Sequence, residues 1–420
     1  MDALVIGAGH AGLATSQCLR QQGVEHLVLE RDTIGASWLN QRWESFALNT
    51  PNWLNRLPGD EDADVTHGEP GDGFMRAGTL VDRLRAYAAR WDLPVREGVT
   101  VADVHRAEAG GYRVTVEGAL DQPIGVDAIV VASGGQNVPR FPPLADAFPE
   151  HVRRLSALDY RAPDQLAPGA VLVVGGGQSG GQIVEDLLAA GREVYWSVSQ
   201  VARIPRRYRG REIMEWLAGS GFFEHTEHDI PDPLERAATL PIISGVGRHG
   251  HSLSIQWLAG KGARLLGRIV DIRGPVVQLD DSVAACVRFA DEASAEVHHK
   301  IDAGIRAAGR ELPPNEPDPA DDPAPATGAF KSPDVLDLES AGVRTVICAT
   351  GVGGDFRYLP DEALREDGSP AQHHGRSAAP GIFHVSMPWQ SCRGSAIIRG
   401  VARDASQTAG AVKSYLAASA

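Results

Sequence analysis

Ala3-Leu-Val-Ile-Gly7-Ala-Gly9-His-Ala-Gly12, running on through Leu13–Gln22 to His26–Leu29 and Glu30, is the stretch that decides the fold. Ala3–Ile6 is a short unbroken apolar run, as a parallel strand covered on both faces requires. Leu13, Ala14, Gln17, Cys18 and Leu19 recur at helical spacing, and Gly23 closes that segment. A second apolar run, His26–Leu29, ends on an acid. Strand, glycine turn, helix, strand and terminal carboxylate in this order make a βαβ unit suited to a dinucleotide. The glycines let backbone approach a pyrophosphate, the helix N-terminus favours its charge, and Glu30 can accept from ribose hydroxyls. A ligand-free turn would need all of these features to coincide by chance.

The same grammar returns 168 residues later, which makes an internal repeat the main organisational fact of the chain. Val171–Val174 is apolar, Gly175-Gly-Gly177-Gln-Ser-Gly180 is a second glycine turn, Gly181–Ala190 is helical, and Glu193–Ser197 is a strand. This second strand ends in Trp196-Ser197 rather than in an acid, and Arg203, Arg206, Arg207 and Arg209 follow. A carboxylate there would repel a 2′-phosphate, whereas Ser and Arg accept one, so NADPH is expected rather than NADH. Two further apolar strands end in small residues and glycine, Val131-Ala-Ser-Gly-Gly135 and Cys348-Ala-Thr-Gly351, as a close backbone approach between FAD and these segments would need.

Elsewhere the pattern predicts helices over Leu80–Trp91, Arg211–Ala218, Leu253–Gly260, Asp291–Ala308 and from about Ser395 to Leu416. Strands are expected at Val99–His105, Tyr112–Glu117, Asp127–Val131, Ala263–Ile272, Val276–Leu279, Thr345–Ala349 and Gly381–Val385. Gly35–Trp53 reads as an ordered loop, and the Pro- and Asp-rich Glu311–Gly328 as an exposed linker or a segment draped over the surface. The expected fold class is α/β, with two Rossmann-like dinucleotide-binding domains, the second inserted into the first. The expected division is 1–165 and 336–420 for the first domain and 166–335 for the second.

Hydrophobic residues at 43% and charged residues at 22% are ordinary for a globular chain of 420 residues. A net charge of -14 argues against binding nucleic acid or an anionic membrane, both of which need a basic surface. Cys18, Cys286, Cys348 and Cys392 are scattered and form no C-x-x-C pair, so neither a disulfide scaffold nor a dithiol redox centre is expected. A reducing, cytoplasmic location follows. Ala3–Ile6 is too short for a secretory signal, and no run of about 18 apolar residues suggests a membrane span.

Taken together, Gly7–Gly12, Glu30-Arg31, Gly35-Ala-Ser-Trp38, Arg42-Trp43, Leu48-Asn-Thr-Pro51, Ala132–Gly135, Gly175–Gly180 and Cys348–Gly351 resemble the flavin-containing monooxygenases. These are the single-component class B flavoproteins; the likeness is to their bacterial branch and, more distantly, to the plant indole-pyruvate monooxygenases. The resemblance implies FAD and NADPH as cofactors and O2 and a small molecule as substrates. In the implied reaction NADPH reduces FAD, dioxygen forms a flavin hydroperoxide, and one oxygen atom passes to the substrate. It places Gly7, Gly9, Gly12, Glu30, Arg31, Trp38, Thr50, Gly351 and Ser395 around FAD. It places Gly175, Gly177, Gln178, Ser179, Gly180, Ser197, Arg203, Arg206 and Arg207 around NADPH. Asn49, Trp38 and Trp43 become the catalytic candidates, with Asn49 as a hydrogen-bond partner of the flavin–nicotinamide pair and core packing as the competing role of both tryptophans. A helix starting near Ser395 would aim its dipole at the flavin pyrimidine.

One departure from the family stands out. Its F-x-G-x-x-x-H-x-x-x-Y/F segment is here Phe148-Pro-Glu150 through Ser156 to Tyr160, with Ser156 at the histidine position and one extra residue before it. This departure keeps two alternatives open: an NADPH-dependent flavoprotein oxidase or reductase releasing hydrogen peroxide, and a low-turnover flavin-binding regulatory protein. His298-His299, His373-His374, His249 and His251 have no convincing ligand set in sequence, so no metal is assigned. The substrate and the oligomeric state are left open, with a homodimer as the expectation.

Overall fold

The computed structural model describes residues 1–60, 73–233, 236, 242–246, 250–324 and 330–419. Residues 325–328 of the Pro- and Asp-rich segment, and His249, lie outside them.

The first glycine unit folds as β1 (Ala3–Ile6), α1 (His10–Gln21) and β2 (His26–Leu29). The chain continues through α2 (Ala77–Arg90), β3 (Val95–Arg96), β4 (Val99–Arg106), β5 (Tyr112–Gly118), β6 (Ile124–Val126) and β7 (Ala128–Val131). β1 lies between β2 and β7 in parallel register, with Ile6 beside both Leu29 and Val131. Alternate side chains of β1 serve opposite layers. Ala3 and Val5 pack with α1, while Leu4 and Ile6 pack with Val99, Val104, Tyr112 and Val114 of the antiparallel β4–β5–β6 meander. Both faces of β1 are therefore dry, which is why its sequence is apolar without alternation.

The second unit repeats this plan. β8 (Val138–Pro139) and β9 (Arg153–Ser156) lead to β10 (Ala170–Val174), α3 (Gln178–Ala189) and β11 (Val194–Ser197). Then come β12 (Arg264–Leu266), β13 (Ile269–Arg273), β14 (Val276–Leu279), α4 (Val283–Ala307), β15 (Val335–Asp337) and β16 (Val343–Cys348). The five-stranded sheet runs β12-β11-β10-β16-β9, with β13–β14–β15 as a second antiparallel meander. Val171 and Val173 pack with α3 and α4, and Leu172 with Val277, Leu279 and Leu336.

The chain then returns through β17 (Val352–Gly353), which pairs antiparallel with β8, so the two crossings between domains are hydrogen-bonded to each other. β18 (Gln372–His373), β19 (Arg376–Ser377) and β20 (Ile382–His384) complete the seven-stranded first sheet, β18-β19-β20-β7-β1-β2-β3. α5 (Ile398–Ser419) covers it, burying Val401, Ala405, Ala409 and Val412 in the cluster that holds Leu13 and Leu19. The second domain is thus inserted into the first. Its sheet takes strands from both sides of 166–335, because β9 pairs with β16 and both lie beyond that range.

Local boundaries depart from the sequence pattern in several places, among them a short helix over Ala36–Asn40 inside the expected Gly35–Trp53 loop. Ala263–Ile272 is two strands in different sheets, broken at Gly267, where a Cβ would meet the Asp280 carbonyl oxygen at 1.8 Å. α4 starts eight residues before the expected Asp291, its first turns burying Val283, Cys286, Val287 and Ala290. The last helix starts at Ile398 rather than near Ser395. Among the described residues no helix is long and apolar enough to cross a membrane.

Candidate active site

Both glycine turns open into one cleft of about 2400 Å3 between the domains. Ordinary small-molecule pockets run to about 300–1,000 Å3, so this one has room for two extended ligands. Its walls are built alike. Gly7 adopts φ +105°, and a Cβ there would stand 2.6 Å from the Ala132 carbonyl oxygen; Gly175 at φ +120° would meet that of Ala349 at 2.3 Å. The two small-residue strand ends therefore press on the glycine turns themselves. Gly9 and Gly177 cap α1 and α3 without a side-chain hydrogen bond, so first-turn amides are left for a ligand.

The glycine positions Gly7, Gly9, Gly175, Gly177 and Gly351 lie on the cleft wall, as do Gln178 and Ser179. Gly12 and Gly180 sit behind their turns. Glu30, Arg31, Trp38, Trp43, Asn49 and Thr50 are also on the wall. The Glu30 carboxylate accepts from the Ala8 and Asp32 amides at 2.8 and 3.1 Å. Asn49 is exposed, and Thr50 donates to Asn55 at 2.6 Å. Trp43 is buried edge-on against Phe46 with centroids 5.2 Å apart, so core packing accounts for most of its surface. Trp38 is only partly buried and lies beneath the Arg42 guanidinium, 5.3 Å from the ring centroid. Burial, then the neighbouring Arg161, lowers the Arg42 pKa.

Four expectations need correction. The buried Arg203 guanidinium is held by Asp321 and, at 2.6 Å, by Asp291, which removes it from the cleft. Arg207 is off the wall formed by the described residues and donates to the Gly210 carbonyl. The Ser197 hydroxyl lies at the wall but is spent on Gly267 O at 2.8 Å. Ser395 is fully buried: its Oγ accepts from the Ser391 and Cys392 amides and donates to Asp404, while Ala396, Ile397 and Ile398 face the cleft instead. Of the three named arginines only Arg206 reaches the cleft, with Glu212 at 2.6 Å from it.

Two residues that sequence reasoning missed lie beside Ser197. β12 neighbours β11, so the segment after it brings the exposed Arg268 to the same strand ends as Ser199, and both face the cleft. Arg268 pairs with Asp280 at 3.1 Å. Nothing in the local sequence announces that adjacency.

FAD and an NADP-type nucleotide fit these walls. At Gly7, Gly12, Gly175 and Gly180 the cradles admit no Cβ, and the buried atoms His10 Nε2, Gln41 Oε1 and Gln178 Nε2 at the cleft have no hydrogen-bond partner among the described residues. Burial pushes the His10 pKa down to about 4, so the ring stays neutral at physiological pH. All four cysteines are buried and unpaired, which leaves no dithiol at the site. Ser156, at the family's histidine position, donates to Asp159 at 2.6 Å and is off the described wall.

Residues 4–210 match the pyridine nucleotide-disulphide oxidoreductase family. An uncharacterized CzcO-like oxidoreductase of Geobacillus kaustophilus is 27% identical over 409 residues, covering 96% of each chain. A probable indole-3-pyruvate monooxygenase of Arabidopsis thaliana is 31% identical over 219 residues, covering 50% of this chain and 54% of the relative. Among solved structures, a flavin-containing monooxygenase from Stenotrophomonas maltophilia matches with a TM-score of 0.65 at 17% identity, covering 99% of this chain and 98% of that one.

Proposed function

We propose that the chain is a flavin-containing monooxygenase, a reading supported by its similarity to the relatives named above, and that it uses FAD, NADPH and dioxygen to transfer one oxygen atom to a small organic substrate. An amine or sulfur nucleophile and a 2-oxo acid are the substrate classes in view. One observation carries this reading: two glycine cradles of the same construction face a single cleft. Bound there, FAD would accept a hydride from NADPH and activate dioxygen.

The protein's part is binding, orientation and exclusion of water. Amides at the start of α1 hold the FAD pyrophosphate, and Glu30 accepts from its ribose. Amides at the start of α3 hold the second pyrophosphate, and Ser199 and Arg268 take the 2′-phosphate in place of Arg203 and Arg207. Neutral His10 offers a ring nitrogen beside the first cradle without adding charge. Trp38, with Arg42 over its face, and Phe222 and Phe223 from the inserted domain keep the space between the cradles apolar. Asn49 supplies a side-chain amide at the wall where the two cofactors meet.

The test is turnover under isotopically labelled dioxygen, with NADPH consumption and product mass followed together across amines, thioethers and 2-oxo acids. Label in the product, at near one atom per NADPH oxidised, supports the reading. A yellow protein that oxidises NADPH and labels no substrate overturns it.

A second reading, an NADPH oxidase that releases hydrogen peroxide, draws on Ser156, whose hydroxyl is tied to Asp159. Peroxide formed in proportion to NADPH with every substrate would favour it.

A further inference from the structure

Outside the cleft, the fold joins two consecutive histidines of the first domain to a carboxylate of the inserted segment. His373 ends β18, His374 follows it, and Glu227 lies in a turn held by the Asp229 carboxylate, which accepts from the Thr226 amide and hydroxyl, both at 2.8 Å. The ligand atoms of Glu227, His373 and His374 all lie within 4.8 Å of one another. The Nε2 atoms of His373 and His374 stand 3.6 and 3.8 Å from the same carboxylate oxygen, Glu227 Oε2. Four-coordinate zinc with bonds of about 2.0–2.2 Å holds its ligands roughly 3.3–3.6 Å apart, so the two carboxylate–imidazole sides of this triangle already lie close to that spacing.

Tautomer chemistry supplies a second observation. His374 Nδ1 lies 2.8 Å from the Gln390 carbonyl oxygen, and only an N–H can bond there. That oxygen is well fixed, since the buried Gln390 side chain donates to His384 O and Thr408 Oγ1, both at 3.1 Å. With the Nδ1 proton so engaged, neutral His374 presents its Nε2 lone pair to a carboxylate. That lone pair and the carboxylate are both acceptors, a pairing that a metal cation or a proton between them satisfies. A backbone carbonyl behind the ring is also the usual partner of a metal-bound imidazole. The Arg236 guanidinium lies 3.9 Å from Glu227 Oε1, on the carboxylate's other oxygen.

We propose that Glu227, His373 and His374 bind a divalent late transition metal, Zn2+ above all, with water in the fourth position. Two imidazoles and one carboxylate are the donor set that suits zinc. The ion clamps the 222–229 segment, which carries cleft residues Phe222 and Phe223, to the edge hairpin of the first sheet.

The experiment uses full-length, tag-free, flavin-loaded protein stripped with a chelator and titrated with ZnCl2 in a calorimeter. One saturable site is expected, weakened at least about tenfold by Glu227→Gln, His373→Gln or His374→Gln, with flavin content and circular dichroism unchanged. Co2+ substitution should give the visible bands of a four-coordinate ion and lose them in His374→Gln. The absence of saturable uptake up to about 1 mM Zn2+, or uptake unaffected by all three substitutions, overturns the assignment.

Discussion

Gly12 stands directly against the carbonyl oxygen of Gly7: a Cβ at Gly12 would lie 1.9 Å from that oxygen, and Gly180 bears the same relation to Gly175 at 2.0 Å. The contact is backbone against backbone, so no side chain can swing away. Gly12→Ala should displace the first turn and cost about 1–3 kcal/mol, roughly a 5- to 150-fold loss of FAD affinity, read from the flavin absorbance of the purified protein. Gly180→Ala should stay yellow but lose affinity for NADPH by a similar factor, read from the concentration dependence of anaerobic flavin reduction. Equal loss of flavin in both variants would contradict the assignment of one cradle to each cofactor.

Arg268 follows the strand next to β11 and faces the cleft with Ser199. Arg268→Gln should raise the NADPH dissociation constant about tenfold or more, the worth of a charge-assisted hydrogen bond, and leave NADH binding within about twofold. Fluorescence titration with both nucleotides checks this. A parallel loss for NADH would show that Arg268 does not read the 2′-phosphate.

Arg203 makes the opposite prediction. Its guanidinium is 1% exposed between Asp291 and Asp321, and His298 adds a contact to Asp321 at 2.9 Å. Arg203→Met leaves two carboxylates buried without their partner and should cost about 3–5 kcal/mol in urea denaturation. NADPH affinity of the folded variant should hold within about twofold.

Burial raises the Asp404 carboxyl to about 6, against the opposing pull of hydrogen bonds from Ser391 and Ser395. A folded-state pKa above the unfolded value means that the folded chain holds the proton more tightly. The resulting stability is complete below about pH 4 and is lost as pH rises through about 6. Asp404→Asn should remove this group's share of the decline, on the order of 3 kcal/mol at the upper end. Chemical denaturation of both proteins from pH 4 to 7.5 should therefore show a difference that grows with pH.

Asn49 is exposed on the cleft wall in the Asn-Thr-Pro segment. Asn49→Ala should lower the fraction of NADPH oxidation that yields oxygenated product severalfold and raise peroxide correspondingly, while flavin content stays constant. Coupled peroxide and product assays measure both quantities.

The glycine turns, the apolar strands beside them and Glu30 were legible because each is a local pattern with one physical use. Local pattern also served for Ala132 and Ala349, where small residues mark a close approach, although its partner proved to be the glycine turn itself. What sequence withheld is lateral order. Arg268 meets Ser199 only because β12 lies next to β11, and Glu227 meets His373 and His374 across 146 residues of chain. The arginines after β11 misled because composition cannot tell a phosphate ligand from a buried ion pair: Arg203 is closed by Asp291 and Asp321, far along the chain. Ser395 misled because its hydroxyl closes a turn before α5 instead of standing at the start of the helix. The early turns of α4 were readable in Val283, Cys286, Val287 and Ala290, which keep helical spacing.

The return of the chain to β20 and α5 bears on synthesis at the ribosome. When the nascent polypeptide has emerged as far as β16, the inserted sheet has all five strands, whereas β7 still lacks its neighbour at Ile382–His384 and α1 lacks the helix that covers it. The inner domain can therefore mature before the outer one, which must wait for β20 and α5 with an open apolar edge. Loss of the segment from β20 onward would spare the former and leave the latter incomplete.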